Sequence, residues 1–202
     1  MNRRNFDLVF RSCCCLLLLT SLGCEPTPVS TIDRSATSTI NEAEVVLSPA
    51  IAPADVKLEV VDGDGYQAAL AKHQGHVVLV DFWATWCEPC TENFPHVVEL
   101  HHKHEAAGLR VIGLACNEPS EEESVRQFLA EQGAAFDNLL TKFGNGTQTN
   151  DAFDIHGVPY YKLYDRQGKL RYQFADVYDD LKLGEPVENI DQRVAELLAE
   201  AS

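Results

Sequence analysis

The run Val77-Val78-Leu79-Val80-Asp81-Phe82-Trp83 constrains the fold more than any other segment of the chain. It is apolar at all but one position and lacks the alternation of a strand with one wet face. It therefore implies a strand buried on both faces, at the centre of a layered α/β sheet. Leu109-Arg110-Val111-Ile112-Gly113-Leu114-Ala115-Cys116 has the same character and supplies a second buried strand. Between them, Glu88 to Ala107 reads as one long helix. Pro89 falls in its first turn, where a missing N–H costs little, Pro95 should kink it, and Gly108 ends it.

The remaining elements follow from periodicity and turn residues. Val56 to Val61 makes a first strand, Tyr66 to His73 a short helix, and Ser120 to Gln132 an amphipathic helix with an acidic first turn, closed by Gly133. Ala135 to Leu140 is an optional strand, followed by a polar loop from Gly144 to Thr147 and a short helix through Ala152-Phe153. Tyr160 to Tyr164 and Leu170 to Phe174, joined by the turn Asp165-Arg166-Gln167-Gly168, form a hairpin. A last helix, Val187 to Ala199, carries Ile190, Val194, Leu197 and Leu198 on one stripe. The order β-α-β-α-β-α-(β)-α-β-β-α predicts an α/β, three-layer fold. A mixed central sheet is flanked by helices, with an insertion before the hairpin.

The chain divides into three parts: a signal segment 1–23, a tether 24–53 and one folded domain 54–202. The opening has basic Arg3 and Arg4 before an apolar run from Cys13 to Leu19, too short to span a bilayer. Gly23 before Cys24 resembles the lipobox of bacterial lipoproteins, which implies Cys24 as the lipidated first residue of a mature, membrane-anchored chain. Ser21 and Leu22 depart from that pattern, and simple cleavage or an uncleaved anchor would export the domain equally well. Residues 25–53 are rich in Pro, Ser, Thr and Ala and read as a flexible tether. The net charge of −15 repels phosphate backbones and argues against nucleic acid as a partner.

Of the seven cysteines, Cys13, Cys14, Cys15 and Cys24 lie near the N-terminus and Cys87, Cys90 and Cys116 in the body. Three do not make a disulfide framework. Cys87-Glu88-Pro89-Cys90 stands where a buried strand gives way to a helix. The helix N-terminus would favour a thiolate at Cys87, and only the thiolate attacks disulfides. Cys90, three residues on, lies within one turn and would resolve the mixed disulfide. Glu88 opposes the thiolate and Pro89 stiffens the turn, which points to a reducing centre. The pair alone also fits inert thiols or half a metal site. Zinc would need two further ligands, and no second CxxC exists. His96, His101, His102 and His104 invite a copper-chaperone reading in which Cys87, Cys90 and one histidine hold the metal. Their spacing spreads them around a helix as solvated surface groups. The redox reading calls for no cofactor and no metal. A peroxiredoxin would need Pro-x-x-x-Thr-x-x-Cys, and neither body cysteine of the pair has it. Cys116 ends a buried strand, either as a core filler or as a third redox thiol.

Val80 to Cys90 resembles the active-site segment of thioredoxins, and CEPC in an exported, anchored chain is similar to the ResA/TlpA branch of that superfamily. The resemblance covers roughly residues 56–200 and implies a thioredoxin-like fold. It implies that Pro159, in Gly157-Val158-Pro159, is a cis proline facing the sulfurs, where the residues alone would also allow a trans proline opening a strand. It implies substrate contacts at Trp86, Glu88, Pro89 and Val158. Asp81 becomes a buried proton acceptor for Cys90, where the residues alone leave room for a solvated strand-end aspartate. The implied activity is protein-disulfide reductase. Its substrates would be disulfide-containing exported proteins, apocytochrome c among them, with a membrane electron donor re-reducing the centre. Asn93 stands where ResA-like chains carry Glu, Tyr160 where Thr is common, and Asp81 where ResA has Asn.

Overall fold

The computed structural model describes residues 51–175 and 184–200. The expected signal segment, Cys24 and the tether up to residue 50 lie outside them. In chain order the elements are β1 (Leu58–Val61), α1 (Gly63–Lys72), β2 (Val77–Trp83), α2 (Glu88–His104), β3 (Leu109–Ala115), α3 (Glu122–Glu131), β4 (Asp137–Thr141), α4 (Thr147–Phe153), β5 (Tyr160–Tyr164), β6 (Leu170–Phe174) and α5 (Ile190–Ala199). The sheet runs β1-β4-β3-β2-β5-β6. Its first four strands are parallel neighbours, and β5 and β6 are added antiparallel. This is the mixed sheet the sequence predicts.

The apolar run that fixed the expectation sits at the centre. Every residue of β2 is buried, and β2 pairs with β3 from Val77↔Leu109 to Trp83↔Ala115. Successive side chains of a strand point to opposite faces, so β2 serves two cores at once. Val77, Leu79 and Trp83 pack with Phe94 and Val97 of α2, Leu129 of α3 and Val194 of α5. Val78, Val80 and Phe82 pack with Tyr66 and Ala69 of α1 and Phe153 of α4. Helices therefore cover both faces, as three layers require.

Element boundaries moved where side chains or glycines set them. α1 begins at Gly63 rather than Tyr66, because the Asp62 carboxylate caps it by accepting the Gly65 N–H at 3.0 Å. α2 keeps α geometry to His104, and a single 3-10 turn, Glu105–Ala107, carries the chain to Gly108 at φ 101°. The expected α3 opens as a 3-10 turn at Pro119–Glu121, and α5 as one at Val187–Asn189. The optional strand starts only at Asp137. Gly133, at φ 66°, and the Ala134 N–H bonded to the Leu129 carbonyl at 2.9 Å first close α3. Once formed, that strand enters the sheet between β1 and β3, so the insertion is part of the core.

Candidate active site

The site grows from the end of β2. After Trp83 the chain makes one tight turn, in which the Cys87 N–H donates to the Ala84 carbonyl at 3.1 Å, and then enters α2. Cys87 is the N-cap residue, in extended conformation at φ −93° and ψ 99°, and no side chain caps the helix there. The first N–H groups of α2, which carry positive partial charge, are therefore left to the sulfur and to whatever approaches it. Cys90 lies one turn on. The two form a disulfide with Cα atoms 5.2 Å apart, so the structure holds the pair in its oxidised state.

The two sulfurs are not equivalent. Cys87 keeps 6% exposure at the rim, beside exposed Glu88 and Pro89, whereas Cys90 is 1% exposed and packs into the core with Phe94. Trp86 precedes them with 53% of its surface in solvent, one of only two large apolar side chains so exposed among the described residues. Val158–Pro159 is a cis peptide. Pro159 is buried, and half-buried Val158 packs against the same core cluster as the two cysteines.

Asp81 sits on β2 between Val80 and Phe82, and its pleat position turns it to the face of Leu79 and Trp83, the face covered by α2. It is 1% exposed, and among the described residues Oδ1 finds no hydrogen-bond partner. Burial without a compensating charge pushes its carboxyl well above the ordinary carboxylate range. A carboxylate so placed is a stronger base than a solvated one. Such a group suits proton transfer with a neighbouring thiol.

Cys116 is a buried free thiol on the opposite core face, its Sγ 3.9 Å from the Leu114 carbonyl oxygen. Burial, reinforced by the nearby Asp81, pushes its pKa up. It is a core filler, held as thiol. The four histidines of α2 disperse. His96 pairs with Asp191 of α5 at 3.1 Å, and His102 is exposed. His101 corrects the expectation of a solvated set: it is 6% exposed, stacked edge-on to Phe136 at 5.3 Å, and burial lowers its pKa. Among the described residues no group of three or more His, Cys, Asp or Glu side chains is placed to hold a metal ion.

Sequence reasoning passed over Asn117. It is fully buried and bonds both the N–H and the hydroxyl of Thr85, two residues before Cys87. A polar residue directly after a buried strand was the available signal.

ResA, a thiol-disulfide oxidoreductase of Halalkalibacterium halodurans, is 29% identical over 109 residues, covering 54% of this chain and 59% of its own. The ResA of Geobacillus kaustophilus is 27% identical over 164 residues, covering 81% of this chain and 84% of its own. The chain thus spans about three-fifths of the first of these relatives and more of the second. Among solved structures, a DsbE-type thiol:disulfide interchange protein of Chlorobium tepidum superposes with a TM-score of 0.51 at 28% identity, covering 64% of this chain and 84% of that one. A thiol-disulfide isomerase of Corynebacterium glutamicum superposes at 0.54 and 20% identity, over 72% and 96%, and speaks for the fold alone. The AhpC/TSA family matches residues 51–173, a span that takes in β2, the CxxC turn and the cis-proline hairpin. Over that span, more than half of its length, this chain is a member of the AhpC/TSA family with a thioredoxin-like fold.

Proposed function

We propose that the chain is a thiol-disulfide oxidoreductase that reduces disulfides in exported proteins, with Cys87 as nucleophile and Cys90 as resolving thiol. One observation carries the reading: a bonded cysteine pair whose first member caps a helix at the rim while the second lies buried on the Asp81 face. In the reduced state the Cys87 thiolate attacks one sulfur of a substrate disulfide. A mixed disulfide forms and the first substrate thiolate leaves. With Asp81 ionised, above its raised folded pKa, Cys90 then gives its proton to that carboxylate and attacks the Cys87 sulfur. The second substrate thiolate leaves, and Cys87–Cys90 closes. Two electrons have passed to the substrate, and each substrate thiolate takes up a proton.

The surroundings have matching roles. Trp86, Glu88 and Pro89 form the exposed ground beside Cys87, and Val158, before the cis Pro159, offers its backbone to an extended substrate segment. The acidic Glu88 beside Cys87 opposes its thiolate and favours the reductive direction, with apocytochrome c as one substrate and a membrane electron donor restoring the dithiol. Residues 1–23 would export the chain, Cys24 would carry the lipid that anchors it at the periplasmic face, and 24–53 would give the domain 54–202 reach. Insulin reduction in the presence of dithiothreitol tests the activity: the native chain should precipitate the insulin B chain, and Cys87→Ser should not. Equal rates with and without Cys87 would remove the reading.

A further inference from the structure

Asn117 follows β3 at the edge of the sheet that carries the cysteines, and it has 0% exposure. A buried amide is costly unless its donors and acceptor are satisfied. Here they are. Oδ1 accepts the Thr85 N–H at 3.1 Å, while Nδ2 donates to the Thr85 hydroxyl at 2.6 Å and to the Glu121 carboxylate at 3.1 Å. That same carboxylate oxygen accepts the Glu118 N–H at 3.0 Å, and the Glu118 carboxylate accepts the Asn145 N–H at 3.1 Å. A Cβ on Gly144, which adopts φ 72°, would collide with the Glu118 carboxylate, so the loop after β4 closes directly on it. A continuous chain of hydrogen bonds therefore runs from the β4–α4 loop, through Glu118, Glu121 and Asn117, to the turn that presents Trp86 and Cys87.

We infer that Asn117 is a positioning residue for thiol exchange. It holds the turn Ala84–Cys87 in the orientation in which an incoming disulfide meets Trp86 and the Cys87 sulfur, and the loop after β4 braces it through Glu118 and Glu121. The inference rests on the exchange activity proposed above. The turn needs such a clamp. Its internal backbone bond is the one from Cys87 to Ala84, and its neighbour Trp86 stands half in solvent. Attack on a disulfide requires alignment of sulfurs, and small misplacements cost large factors in rate.

The test uses the full chain in its reduced form, with three variants: Asn117→Ala, Thr85→Val and Thr85→Ser. Two readouts are taken, insulin reduction and the pH profile of Cys87 alkylation by iodoacetamide, alongside thermal unfolding. Asn117→Ala should unfold in one transition yet reduce insulin about tenfold more slowly, with its alkylation profile moved toward higher pH. Thr85→Val, which loses the hydroxyl but keeps the N–H bond to Oδ1, should move both readouts the same way by a smaller factor, about fivefold in rate, and Thr85→Ser, which keeps the hydroxyl, should leave both near native values. Should Asn117→Ala fail to fold, the half-buried Thr85 pair decides alone. Turnover within about twofold of the native chain and an unmoved profile in the variants lacking the clamp would overturn the inference while leaving the proposed function standing. A native chain that neither reduces insulin nor alkylates as an activated thiol would overturn both.

Discussion

Asp81→Asn should make the fold more stable at neutral pH, by an amount that grows with pH. The native fold buries the carboxyl at 1% exposure and raises its pKa well above the ordinary 3.8, through desolvation. From pH about 3.8 up to the raised folded pKa, the unfolded chain has released this proton while the native chain keeps it. The native state then binds one more proton than the unfolded state. Stability from this group is full below the unfolded pKa and is lost as pH rises toward the folded one, at about 1.4 kcal/mol per pH unit. The amide of the variant does not titrate, so every other ionisable group cancels between the two proteins except for small coupling to Cys116. That amide is nearly isosteric and inherits the same partly unpartnered site, which adds an offset independent of pH. Urea denaturation of the oxidised proteins at pH 4, 5, 6 and 7 measures the difference. It should rise by about 1.4 kcal/mol for each unit in which the native carboxyl stays protonated. In the same variant the mixed disulfide on Cys87 should accumulate at pH values above the folded pKa of native Asp81, because there Cys90 has lost its proton acceptor. A stability difference that stays flat from pH 4 to 7 would show the carboxyl ionising as freely in the fold as outside it, and the reasoning about Asp81 would fall.

Two further outcomes follow from burial and exposure. Trp86→Ala removes a side chain that is 53% in solvent, so the melting temperature should hardly move while KM for insulin rises about tenfold, a split that steady-state kinetics reads directly. His101→Leu bears on acid stability. Burial depresses the imidazole pKa from 6.5, with Glu105 opposing and His102 and Arg110 reinforcing the shift, so the native chain resists a proton that the unfolded chain accepts. That contribution is present above pH 6.5 and lost as pH falls toward the depressed value; the Leu variant should lose less stability between pH 7 and 5 than the native chain, by urea titration.

The parts of the fold that the sequence disclosed were those where one physical rule dominated. β2 runs Val77–Trp83 as expected because only a central strand tolerates so unbroken an apolar run. The CxxC stood out because the strand before it and the helix after it were themselves clear. β4 was blurred by Asn138, a polar residue in the middle of a buried strand. The structure satisfies its Nδ2, which donates to the Ala134 and Phe136 carbonyls at 3.1 and 2.8 Å, partners that are invisible in a hydropathy pattern. His101 was legible but missed. Phe94, Val97, Val98 and His101 share one helical stripe, and that periodicity outweighs the company of its neighbouring histidines. Asn117 had no periodic signal, since its importance comes chiefly from Thr85, which lies far away in sequence and meets it only in the folded sheet.

The central claim is that Cys87 and Cys90 form a reducing dithiol centre, and its reduction potential tests that most directly. The chain is equilibrated in glutathione buffers, and the fraction of Cys87–Cys90 disulfide is read by alkylation and mass. A potential near that of thioredoxin, about −270 mV, is the expected result; one near about −120 mV, the range of a strong oxidant, would contradict it.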